Sequence, residues 1–126
     1  FKHGGGTLLD RHDKKSSNEY SISNYSKGND RILTFNKLHR SGNDLKYEIL
    51  DILEIKDFDM YKNYISECTC TINEEIDTEI LAIVVQGENE YTEKTIKAWR
   101  ADRQKEKFIE LNVKGIECVN ESLMGD

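Results

Sequence analysis

Ile80-Leu81-Ala82-Ile83-Val84-Val85 is an unbroken apolar run, followed after Gln86 by the turn-forming Gly87-Glu88-Asn89. It is too short for most helices and rich in β-branched residues. That combination reads as a central strand buried on both faces. Strands are expected on either side. Upstream, residues 64–72 are again rich in β-branched residues, carry Cys68 and Cys70 on one face, and end at Asn73-Glu74-Glu75. Downstream, residues 95–101 and 107–113 flank Asp102-Arg103-Gln104-Lys105-Glu106. In the second arm Ile109, Leu111 and Val113 alternate with Glu110 and Asn112, the clearest two-residue period in the chain. Ile96 and Trp99 differ in parity, so a helix over residues 93–103, capped by Thr92, competes with the first arm. After Gly115, Ile116 and Cys118 share a face and read as a short closing strand, beyond which residues 122–126 fray.

In the first half of the chain, residues 31–40 and 45–55 flank Ser41-Gly42-Asn43-Asp44. Gly and Asn accept positive φ at little cost, so a β-hairpin is expected. Simple alternation puts Leu45, Tyr47, Ile49, Leu53 and Ile55 on one face, interrupted by Asp51, with Leu50 and Ile52 opposite. A helix over 45–55 is the rival reading. Residues 56–63 form a charged connection. Residues 1–29 are polar, with Gly4-Gly5-Gly6 and a charged stretch over 10–17, and read as a flexible arm. Local docking of Leu8-Leu9, or a short strand through Tyr20, Ile22 and Tyr25, is the alternative there. The expectation is a single domain over residues 30–126, mainly β or α+β, built on an antiparallel sheet with hairpins.

The length of 126 residues suits one domain. Hydrophobic residues at 37% lie below the globular average and charged residues at 33% above it, which fits a partly unpacked chain. A net charge of −6 opposes binding to a phosphate backbone, so nucleic acid is not an expected partner. No apolar window is long enough for a transmembrane helix, and no signal-peptide pattern precedes the body. The sequence begins at Phe1 rather than Met, which leaves secretion open. Proline is absent, so turns fall to Gly, Asn, Asp and Ser.

Three cysteines leave one unpaired in a monomer. Cys68, Cys70 and Cys118 are the disulfide candidates. If their strands are adjacent, Cys118 reaches one of the earlier thiols and closes a loop of about 50 residues, stabilising by roughly 4 kcal/mol. Inert buried thiols and a soft thiolate metal site are the other readings, but the Cys-x-Cys spacing is tight for zinc and no His lies near Cys118. No metal or cofactor is expected. His3-Gly4-Gly5-Gly6 resembles the oxyanion loop of lipases, yet the Gly-x-Ser-x-Gly elbow that motif requires is missing. Asp51, Glu67, Asp77 and Glu79 lie beside apolar runs and would suit acid–base work if brought together, with solvated strand edges as the simpler reading. His3, His12 and His39 have no ligand-spaced companion. Asn24-Tyr25-Ser26 and Asn120-Glu121-Ser122 are glycosylation sequons with meaning only in a eukaryotic secretory pathway. Tyr91, Trp99, Arg100 and Phe108 would make an aromatic–basic partner-binding patch if exposed, against core packing of Trp99 as the plain alternative.

The segments Asp77-Thr78-Glu79-Ile80-Leu81-Ala82-Ile83-Val84-Val85, Ile96-Lys97-Ala98-Trp99-Arg100, Lys107-Phe108-Ile109-Glu110 and Lys114-Gly115-Ile116-Glu117-Cys118-Val119-Asn120-Glu121 resemble uncharacterised small bacterial secreted or lipoprotein-like proteins. The resemblance covers the C-terminal half and carries no known activity or site residues. It implies a bacterial envelope origin, periplasmic or secreted, with Cys68 or Cys70 facing Cys118. The expected function is a non-catalytic envelope domain that binds another protein, with an inhibitory role included. A cytoplasmic immunity or antitoxin-type protein, whose acidity would complement a basic toxin, is the alternative. A small-molecule enzyme ranks third.

Overall fold

A computed structural model describes residues 2–9, 19–67, 69–85, 91–92 and 94–119. The fold is mainly β, built of antiparallel sheets and hairpins, with no helix among the described residues. The expected central strand and hairpins are therefore present. The helical alternatives over 45–55 and 93–103 are replaced by strands, because both segments carry β-branched and aromatic residues that suit a pleated surface.

The chain divides into two compact units, residues 1–58 with 102–108, and residues 59–101 with 109–126. The first unit is a four-stranded meander of β1 (Lys2–Leu8), β2 (Glu19–Lys27), β3 (Asp30–Ser41) and β4 (Asp44–Ile55), in the order β1-β2-β3-β4. The flexible arm expected over residues 1–29 thus does not hold as a whole. Glu19–Lys27 pairs along its full length with β3, and Tyr20 and Ile22 are buried. Leu9 is fully buried, while residues 10–18 lie outside the described residues. The two tight turns are twins: Lys27-Gly28-Asn29-Asp30 and Ser41-Gly42-Asn43-Asp44 each pair their outer residues and set the Gly at positive φ, +59° and +61°. Positive φ at the first central residue alone is the sign pattern of a type II′ turn, which only Gly adopts freely.

The second unit holds β5 (Asn63–Glu67), β6 (Cys70–Ile72), β7 (Glu75–Ile76), β8 (Ile80–Val85), β9 (Tyr91–Thr92), β10 (Thr95–Asp102) but for Asp102, β11 (Lys107–Leu111) from Ile109 onward, and β12 (Ile116–Val119). They form two sheets, ordered β11-β10-β8-β5 and β7-β6-β12-β9. The turn joining β10 to β11 belongs to the first unit. β8 lies between β10 and β5, and from Ile80 to Val84 every residue is buried, so alternation by face disappears as expected for a covered strand. Ile80, Ala82 and Val84 project with Ala98 into a core completed by Cys70, Ile116 and Cys118. Cys118 stands directly opposite Cys70 in the β12–β6 ladder, and the two are joined by a disulfide. Cys68 lies outside the described residues, as do the turn at 87–89 and the sequon at 120–122.

The parity conflict between Ile96 and Trp99 has a physical cause. Thr95 pairs with Val84 and Lys97 with Ile83, so Ile96 is an extra bulged residue that turns outward, and Trp99 returns inward opposite Leu81.

Candidate partner-binding surface

A second bulge reshapes β4. Asn36 pairs with Ile49 and Phe35 with Asp51, leaving Leu50 as the extra residue. Parity reverses there. Leu45, Tyr47 and Ile49 therefore share a face with Ile52, whereas Asp51, Leu53 and Ile55 point the other way. The side chains expected to form one buried face are thus divided. Ile55 is buried, but Leu45, Tyr47, Ile49 and Ile52 are 40%, 59%, 57% and 58% exposed. Single exposed apolar residues are ordinary; four on one face of one strand are not. β4 is also a sheet edge, pairing among the described residues only with β3.

Asp51 holds the bulge. Its Oδ1 accepts the Ile52 N–H at 2.9 Å and its Oδ2 accepts the Phe108 N–H at 2.8 Å. Phe108 packs on Phe35, the residue opposite Asp51, at 5.6 Å between ring centroids, and Phe35 packs in turn on Tyr20. Nearby, the Tyr20 hydroxyl donates to Glu106 Oε2 at 3.0 Å, and Lys37 Nζ lies 3.1 Å from the same oxygen. The hydrogen bond from Lys37, then that from Tyr20, hold the Glu106 carboxyl below its ordinary pKa, and the same bond raises that of Lys37.

The face of β4 opposite the stripe is charged. Lys46 stands across from His39, and Glu48 Oε1 lies 2.8 Å from His39 Nε2. On the stripe's own side, at the outer end of the hairpin, Arg40 stands across from Leu45 and binds Glu19 through two nitrogens, at 2.8 and 3.2 Å.

Three of the four residues expected to form an exposed aromatic–basic patch have other contacts. Trp99 is only 7% exposed, so it is a packing residue and not a surface anchor. Phe108 packs on Phe35. Arg100 donates through Nη1 to Asp77 Oδ2 at 2.8 Å and to Glu79 Oε1 at 2.9 Å. Burial alone would lower the Arg100 pKa, but its bonds and charge interactions with Asp77 and Glu79 outweigh that and raise it. The Tyr91 side chain lies outside the described residues. Glu79 is buried against Arg100 instead of occupying a solvated edge, because an internal ion pair offsets part of its desolvation. With the Cys70 and Cys118 sulfurs joined to each other, neither is a free thiolate ligand. No group of three or more His, Cys, Asp or Glu is placed to hold a metal among the described residues.

The chain matches no protein-family model, no curated protein and no solved structure. No helix of the described residues is long and apolar enough to cross a membrane. The sequence gives the edge strand but not its outward apolar stripe, because a bulge has no period of its own. The available signal was Leu50-Asp51, where an apolar residue and an acid break the alternation on both faces at once.

Proposed function

We propose that this protein is a non-catalytic domain of the bacterial envelope, periplasmic or secreted, that binds another protein chain through the edge and exposed face of β4. The exposed row of Leu45, Tyr47, Ile49 and Ile52 carries this reading. An edge strand offers unpaired backbone N–H and C=O groups for strand addition, while side chains on alternate positions supply selectivity. The Cys70–Cys118 disulfide supports an oxidising compartment and weighs against the cytoplasmic immunity-type alternative, since cytosolic thiols are kept reduced.

The test is site-specific photo-crosslinking in the source cell, with a benzophenone amino acid at position 47 or 52 and, as control, at the exposed Lys62. Protein adducts from positions 47 and 52 but not 62 are expected. Equal adducts from all three, or none, would overturn the assignment of this surface.

A further inference from the structure

Resting on the reading of β4 as a docking edge, we propose that its occupant is a second copy of this chain, paired antiparallel about Tyr47. In the hairpin, Ser41 and Asp44 flank a two-residue turn and form its first hydrogen-bonded pair. Antiparallel ladders alternate, so the backbone N–H and C=O of Leu45, Tyr47 and Ile49 point away from β3, toward the open edge.

Those three residues define a self-complementary strand. A two-fold axis through Tyr47 sets Tyr47 against Tyr47 of the second copy and Leu45 against Ile49, giving about six new backbone hydrogen bonds. The stripes of both copies then lie on the same side of the joined sheet and form one continuous apolar surface. On the opposite side, Lys46 of each copy meets Glu48 of the other, twice over, in the closely spaced non-hydrogen-bonded pairs where opposite charges interact best. Centring on Lys46 or on Glu48 presents the same outward backbone groups but sets Lys46 against Lys46 or Glu48 against Glu48, opposing like charges. Sliding by two residues in either direction brings the Gly42-Asn43 turn or the Leu50 bulge into the ladder. The charge order Lys46-Tyr47-Glu48 and the two irregular ends thus select one register. The bulge ends the ladder, and because the two-fold contact uses the same edge of both copies the union is a closed pair.

The experiment is sedimentation equilibrium of the full chain, disulfide intact, from about 1 to 500 μM. A concentration-dependent dimer is expected. Lys46→Glu and Glu48→Lys should each weaken it roughly ten- to thirtyfold by converting two attractive cross-strand pairs to repulsive ones. The double reversal Lys46→Glu with Glu48→Lys should restore the wild-type constant. A monomer at every concentration, or single reversals that dimerise like wild type, would overturn the self-pairing. If the chain is monomeric while photo-crosslinking from position 47 yields adducts of heterologous mass, only the second-copy inference fails; if position 47 yields no adduct, the docking edge fails with it.

Discussion

Asp51 accepts the main-chain N–H of Phe108 at 2.8 Å, a hydrogen bond spanning 57 residues of sequence. It joins the bulge of β4 to the turn over 102–108 within one unit. Since the bulge decides which side chains of β4 face outward, a single carboxylate governs the candidate surface. A charge-assisted bond of this kind contributes about 1.5 to 3 kcal/mol. Asp51→Ala should therefore lower stability by about 2 kcal/mol in urea titration and speed hydrogen exchange over residues 49–53. Asp51→Asn, which keeps an acceptor oxygen, should cost about half as much. An unchanged midpoint for Asp51→Ala would show that Phe35 and Phe108 hold the bulge by packing alone.

The disulfide closes a segment with a sequence separation of 48 residues in the second unit. In the chain-entropy model a loop of that size stabilises by about 4 kcal/mol. Cys70→Ala with Cys118→Ala should lower the melting temperature by many degrees, on the order of the loss of a large fraction of the net stability. Intact mass of the freshly isolated chain should fall two hydrogens short of the fully reduced value. Three free thiols in native protein would remove the argument for an oxidising compartment.

The legible part of this fold was its covered strand and its glycine-marked turns. β8 announced itself because a strand buried on both sides needs apolar residues at every position. Ser41-Gly42-Asn43-Asp44 was equally plain. Lys27-Gly28-Asn29-Asp30 repeats its last three residues, yet the strand before it was hidden by polarity. In β2, Ser21 is buried and Ser23 lies nearby, and the Asn36 amide donates to both hydroxyls at 3.2 and 3.0 Å. A sheet face satisfied by side-chain hydrogen bonds carries no hydrophobic alternation, so composition alone likens it to a tether. The bulges at Leu50 and Ile96 show in the sequence only as breaks in parity, which leave open how the strand resumes. Each inserts one residue whose placement depends on the partner strand, and that pairing is not local information.

Gly115 and Gly42 both occupy positive φ, +81° and +61°, but differ in surroundings. A Cβ at Gly115 would lie 2.5 Å from Asn73 Oδ1, whereas one at Gly42 meets nothing within 4 Å. Asn73 is itself tied to Gly115, its N–H donating to the Gly115 carbonyl at 2.9 Å. Gly42→Ala should cost about 1 kcal/mol from backbone strain alone. Gly115→Ala adds displacement of the Asn73 turn and should cost about 2 kcal/mol or more. Equal losses in thermal unfolding would show that the Asn73 side chain swings aside freely.

The Glu106–Lys37 pair sets a pH signature. Lys37 and Tyr20 hold the Glu106 carboxyl below its ordinary value of 4.5 through hydrogen bonds. A carboxyl whose folded pKa is depressed contributes stability above its unfolded pKa and loses it as pH falls through the folded one. Lys37, raised from 10.5 chiefly by its bond to Glu106, contributes fully below that value and loses its share as pH rises through the folded pKa. The pair therefore stabilises from about pH 4.5 to 10.5 and fades outside that window. Because Glu106 remains 35% exposed, its effect is small and screened by salt. Glu106→Gln should melt slightly below wild type at pH 7, and the two curves should draw together as pH falls below about 4.5. The gap at neutrality should also narrow in about 1 M salt, where screening reaches short range. A gap that persists undiminished as pH falls below 4.5 would assign the loss to the Tyr20 hydrogen bond and not to charge.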